Sequence, residues 1–200
     1  MNRIYGIFTI CAFIFAVVSG QEAAYARPAA PEEAHSYEQL SPNGKYIFVM
    51  LAKSRNRGAR VDTLRDKYAH SGLYKAGGDR KALWTVNWYA SQVHVASDGK
   101  CLVRIGRTAA HSINKQPDTS QLALAFYDSG KALSKYLIED LIQNPNSLTK
   151  SGDSFLWKKR IAFDDASGRL DVTLVTGQNV LFNIRSGKII SIKAGVGKRK

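Results

Sequence analysis

The chain has 200 residues, and its 29 Lys and Arg against 16 Asp and Glu give a formal net charge of +13. Hydrophobic residues make up 44% and cysteines number two, which excludes both an uncollapsed polar chain and a small disulfide-stapled scaffold. The length suffices for one domain with its own core.

The first 26 residues have the layout of a signal peptide. Asn2 and Arg3 supply a positive start, an apolar run follows over 4–18, and Ala24-Tyr25-Ala26 gives the small-x-small pattern of a cleavage site. The apolar core is too short for a comfortable membrane span. Cleavage after Gly20 fits as well, and neither cut leaves a Cys at the new N-terminus. Cleavage after Ala26 removes Arg3 and Glu22 together, so the mature charge stays +13, and it removes Cys11, which leaves Cys101 without a disulfide partner. No second stretch is apolar enough to cross a bilayer. The expected product is periplasmic or secreted, with a loose segment over 27–40, an antiparallel β domain over 41–193 and a basic tail over 194–200.

Apolar runs then alternate with turn signals. Ser41-Pro42-Asn43-Gly44-Lys45 is a turn, and 46–51 follows as an apolar strand. Residues 53–79 are polar and predict long loops. Over 83–89 the side chains alternate, with Trp84, Val86 and Trp88 on one face and Thr85, Asn87 and Tyr89 on the other, which is the period of a half-buried strand. Val93 and Val95 continue the alternation, Asp98-Gly99 supplies a tight turn, and 101–105 returns as the partner strand. The device recurs at Asp128-Ser129-Gly130-Lys131, at Ser167-Gly168 and at Ser186-Gly187-Lys188. One segment departs from it. Leu137, Ile138, Leu141 and Ile142, with Ser134 placed to cap, predict a short helix within 134–142 that ends before Pro145. The turn glycines do not hold a fixed period, so a closed propeller of regular repeats is not indicated. The fold class expected is mainly β, a single propeller-like or sandwich-like domain of antiparallel hairpins.

Several stretches in fixed order go beyond general pattern. They are Ser71-Gly72-Leu73-Tyr74, Leu83-Trp84-Thr85-Val86-Asn87-Trp88-Tyr89, Val93-His94-Val95-Ala96-Ser97-Asp98-Gly99, Leu124-Ala125-Phe126-Tyr127 and Val180-Leu181-Phe182-Asn183-Ile184. Together they resemble a family of small exported bacterial proteins with propeller-like hairpins and no established activity. The resemblance covers most of the mature chain and implies a β fold and export, with no reaction or ligand to carry over.

Candidates for chemistry are few. Gly152-Asp153-Ser154-Phe155 resembles an esterase nucleophile block, yet such enzymes need a His downstream, and the last His here is His111. Ser-x-x-Lys occurs at Ser97/Lys100, Ser112/Lys115 and Ser147/Lys150 without the companion elements of penicillin-binding enzymes. Cys101 could face His94 across a hairpin, but among Leu102, Val103 and Ile105 it reads as a small buried hydrophobe. His35, His70, His94 and His111 show no ligand spacing, so neither a metal nor another cofactor is indicated. Trp84 and Trp88 read as core, and Tyr89 as a surface residue able to touch a partner.

Charge points outward. Lys53, Arg55, Arg57, Arg60, Arg65 and Lys67 crowd one stretch against Asp62 and Asp66, Lys158-Lys159-Arg160 form a second cluster, and Lys193, Lys198, Arg199 and Lys200 a third. Such clusters attract polyanions, and export favours an anionic envelope polymer, a lipid surface or another protein over nucleic acid. The binding residues expected are therefore these two internal clusters with Tyr89, in a non-enzymatic module. The competing reading is a hydrolase whose site gathers His70, His94 or His111 with Asp79 or Asp98 from separate loops.

Overall fold

Gly-containing bends join neighbouring antiparallel strands along almost the whole chain in the computed structural model, which describes residues 34–53, 62–110 and 116–195. The first sheet comprises β1 (Tyr37–Leu40), β2 (Tyr46–Met50), β3 (Gly72–Lys75) and β4 (Trp84–Thr85), adjacent in that order. The second comprises β5 (Gln92–Val95), β6 (Cys101–Ile105), β8 (Leu122–Asp128) and β9 (Lys131–Leu137). The last is a meander of β12 (Lys158–Asp164), β13 (Arg169–Leu174), β14 (Asn179–Asn183) and β15 (Ile189–Lys193). A small fourth sheet pairs β10 (Thr149–Ser151) with β11 (Ser154–Leu156), and β11 with β7 (Ala109–Ala110). Every pairing is antiparallel, and the protein is mainly β as expected.

The second sheet is the middle layer. In β8, Leu124 and Phe126 pack with Leu170, Val172 and Phe182 of the last sheet, whereas Ala125 and Tyr127 pack with Phe48 and Leu73 of the first. In β6 the same alternation sends Val103 and Ile105 one way and Leu102 the other. A strand covered on both faces needs apolar residues at every position, which is why 123–127 are all buried. Each large side chain sequestered there contributes about 1.5–3 kcal/mol of transfer free energy.

The outer layers end differently. Tyr68 and Leu64 lie over Val49 and Tyr74, capping the far face of the first sheet. Leu64 belongs to α1 (Thr63–Lys67), which Asp62 caps by accepting from the Leu64 N–H at 3.2 Å. The last sheet presents polar groups instead, with Asn179 donating to Asp171 at 3.0 Å and Thr173 donating to Asn179 at 2.8 Å. Alternation along β13, where Leu170, Val172 and Leu174 are buried and their neighbours are not, places the polar residues outward.

Equivalent bends connect the layers. Asn43 donates to the Ser97 carbonyl at 2.9 Å, and the Ser97 N–H donates to Asp165 at 3.0 Å, so the first hairpin of each large sheet touches the next. The third hairpins act as wedges. Gly130, between β8 and β9, lies against the Thr85 carbonyl of the first sheet, and Gly187, between β14 and β15, lies against Phe126 and Ser134 of the second.

Three expectations are corrected. Residues 37–40 are not loose, because β1 pairs with β2 in the register Tyr37↔Met50 to Leu40↔Ile47. The short helix expected within 134–142 is present as α2 (Ile138–Leu141), but its expected cap is not, since Ser134 lies in β9 and donates to the Gly187 carbonyl at 2.9 Å. Asp140, not Ser134, makes the turn, accepting from the Leu137 N–H at 2.7 Å. Finally, the strand expected over 83–89 pairs only at Trp84–Thr85, although Trp84, Val86 and Trp88 do pack on one cluster as the alternation indicated. The segments 1–33 and 196–200, hence the signal peptide and most of the basic tail, lie outside the described residues.

Candidate functional site

Nucleophile geometry is the first thing to examine. His94 is paired with Val103, not Cys101, and its ring stacks on Phe163 at 5.1 Å with planes 9° apart. Its Nε2 is buried without a hydrogen-bond partner, and burial holds its pKa below the usual range. Burial, reinforced by the Asp98 carboxylate, pushes the Cys101 thiol up to about 12, so it stays protonated at neutral pH. Asp98 is occupied in building its turn, accepting from the N–H groups of Lys100 and Cys101 at 2.8 and 2.9 Å and from Arg185 at 3.0 Å. Ser154 donates to the Ser151 carbonyl at 3.1 Å in the β10–β11 turn. Among the described residues, His70 and His94 form no hydrogen bond with Asp79 or Asp98, and no group of three or more His, Cys, Asp or Glu converges as metal ligands. His111 lies outside the described residues.

The cationic residues gather at two open grooves. The larger, of about 820 Å³, is lined by Lys53, Arg65, His70, Ser71, Asn87 and Tyr89 among others. It thus unites three residues expected from sequence to bind a partner, Lys53 from the segment after β2, Arg65 from α1 and Tyr89 from the segment that follows β4. Its charge is partly spent, because Arg65 pairs with Asp62 at 3.4 Å, and Lys67 nearby pairs with Glu38 at 3.2 Å. Tyr89 is half-buried, and its hydroxyl donates to the His35 carbonyl at 3.0 Å while accepting from the His35 N–H at 3.1 Å. The phenol therefore ties the start of the described chain to the sheet. Beneath it, Arg104 donates to the Tyr89 carbonyl at 2.9 Å and lies 4.6 Å over the Trp88 ring. Arg55, Arg57 and Arg60 lie outside the described residues.

The second groove, of about 350 Å³, is bordered by Lys158, Lys159, Arg160 and Ile161 of β12, with Leu156, Trp157, Thr108 and Gln92. In a regular strand three consecutive side chains cannot serve one surface, since neighbours point to opposite faces. Here the register shifts between Lys158, opposite Leu174, and Arg160, opposite Thr173. Such a bulge inserts an extra residue and re-aims the side chains beside it. Lys158 lies opposite buried Leu174 and Arg160 opposite the outward Thr173, so the bulge leaves Lys159 and Arg160 together on the outer face with Lys158 on the inner one, and all three border the concavity at this end of β12.

Lys158 is the most enclosed of the three. Its Nζ donates to the Gly106 carbonyl at 3.3 Å and lies 4.7 Å over the ring of Trp157, which is itself fully buried and donates to the Arg107 carbonyl at 2.8 Å. Burial lowers its pKa to about 8. No carboxylate stands within ion-pair distance of Lys158, Lys159 or Arg160 among the described residues.

Sequence reasoning found these cations but not what surrounds them. Ser71 and Asn87 in the first groove, and Gln92 and Thr108 in the second, come from separate parts of the chain, and no local signal marks them, whereas His70 was named from the sequence, but for a hydrolase site. No protein-family model matches the chain, and no curated protein matches it in sequence.

Proposed function

We propose that this protein is a non-enzymatic binding module, exported to the envelope or beyond, that holds an anionic polymer by electrostatic contact. The observation that carries the reading is the second groove, where three adjacent cations share one concavity with no acidic partner within ion-pair distance among the described residues. Unpaired cations in a chain of net charge +13 keep their field for a partner, and a partially enclosed groove strengthens it over an open surface. The signal-peptide layout of 1–26 supports export, and therefore an envelope polymer over nucleic acid. Lys53, at the end of the first groove, adds a further cation without an ion-pair partner among the described residues.

The test is retention of the mature protein on an immobilised acidic polysaccharide. Neutralising about three anionic groups predicts a log–log salt slope near −2 to −3, so affinity falls about a hundredfold to about a thousandfold between about 50 and about 500 mM salt. Reversing Lys158, Lys159 and Arg160 to Glu together should abolish retention. Equal retention at both salt concentrations overturns the mechanism.

A further inference from the structure

We infer that the second groove recognises a single acidic sugar unit, with Lys158 receiving its anionic group. This rests on the reading above and names what the groove takes from the polymer.

The size sets the scale. About 350 Å³ is at the lower end of the range for small-molecule sites, about 300–1,000 Å³, and suits one monosaccharide-sized ring with a charged substituent. The lining sets the chemistry. Lys158 is enclosed yet not neutralised, because the Gly106 carbonyl and the Trp157 ring orient the ammonium by partial charges without cancelling its own. A carboxylate or phosphate entering the groove meets Lys158 within it and Lys159 and Arg160 beside it, where the bulge has placed them. Gln92 and Thr108 contribute an amide and a hydroxyl that make no side-chain hydrogen bond with other described residues, so they are free to pair with sugar hydroxyls. Half-buried Leu156 and Ile161 offer apolar surface to the C–H face of a ring. A groove built only for inorganic anions needs neither the neutral polar pair nor the apolar wall.

The experiment is an amide chemical-shift titration of the folded mature protein with glucuronate, glucose 6-phosphate, glucose and inorganic phosphate. Glucuronate and glucose 6-phosphate carry the anionic group as carboxylate and as phosphate, and the stronger of the two identifies which the groove prefers. At least one should bind ten times or more tighter than both glucose and inorganic phosphate, with shifts at Gln92, Thr108 and 156–161. Lys158→Met should weaken that binding tenfold or more, while Lys188→Met, on the β14–β15 bend, should leave it unchanged. Inorganic phosphate binding as tightly as both acidic sugars overturns the inference, as does wild-type affinity in Lys158→Met. If acidic sugars fail to bind while the polysaccharide column still retains the protein in a salt-sensitive way, the sugar assignment falls and the module reading stands. If the column also releases the protein, both fall.

Discussion

Gly187 and Gly44 form a matched pair that measures how much the wedge between sheets contributes. Both have positive φ, +67° and +71°, so an Ala side chain at either meets the same backbone penalty of about 1 kcal/mol. Their surroundings differ. A Cβ on Gly44 has nothing within 4 Å, whereas one on Gly187 stands 2.9 Å from Phe126 Cβ and closer still to Ser134 Oγ. Phe126 is fully buried in the middle layer and cannot swing away, so overpacking adds about 1–3 kcal/mol. Ser134 must move as well, which disrupts its bond to the Gly187 carbonyl, about 1 kcal/mol more. Gly44→Ala should therefore cost about 1 kcal/mol and Gly187→Ala about 3–5 kcal/mol. In urea, with an m-value of about 2 kcal/mol/M, the midpoints should fall by roughly 0.5 M and roughly 1.5–2.5 M. Equal shifts for the two variants would refute the claim that the β14–β15 bend is wedged against the second sheet.

Two further outcomes follow from the buried groups. Cys101, its thiol pushed up to about 12 chiefly by burial, should fail to react with a disulfide reagent at pH 8 in the folded protein and react fully once urea unfolds it. Lys158 bears a pKa lowered to about 8 by burial, against about 10.4 in an unfolded chain, so below pH 8 both states are charged and the folded one carries the full desolvation penalty. Between the two values the unfolded state binds more protons, and stability relative to Lys158→Met should rise with pH and level off above about 10.4; a flat difference from pH 7 to about pH 10.5 would contradict the burial.

The hairpins were legible because their signals are local. Asp98-Gly99 and Ser186-Gly187 sit between apolar runs, and a tight turn needs little more than that. The grouping of strands into three four-stranded meanders was not legible because different segments interrupt them. Residues 51–71 separate β2 from β3, 106–121 separate β6 from β8, and α2 with β10 and β11 fills the stretch before β12. Gly44, Gly99 and Gly168 occupy equivalent first bends, but unequal insertions stretch their spacing, and counting every turn glycine together mixes first bends with third. The boundary of β9 misled for another reason. Leu137, Ile138, Leu141 and Ile142 have helical spacing, whereas alternation of exposed and half-buried residues runs only over 133–136, and only the neighbouring sheet explains it. The strands β7, β10 and β11 span two or three residues each and leave no periodicity to read.

The same limit governs the grooves. Three basic residues in a row are visible in any sequence, and regular alternation argues that they scatter over two faces. A single shift in pairing between β12 and β13 changes how they divide, turning Arg160 to the face of Lys159 while Lys158 stays opposite buried Leu174, and a shift depends on both strands and on what packs against them. Lys158 then becomes the residue on which stability and binding pull apart. Holding an enclosed ammonium with no carboxylate beside it among the described residues costs the folded state about 3 kcal/mol at neutral pH, by the displacement of its pKa from the ordinary lysine value. A Met of similar length would relieve that cost and still cover Trp157. In the proposed binding mode an acidic ligand offsets the same penalty only while it is bound, and the proposal therefore predicts that Lys158→Met is at once the more stable protein and the weaker binder.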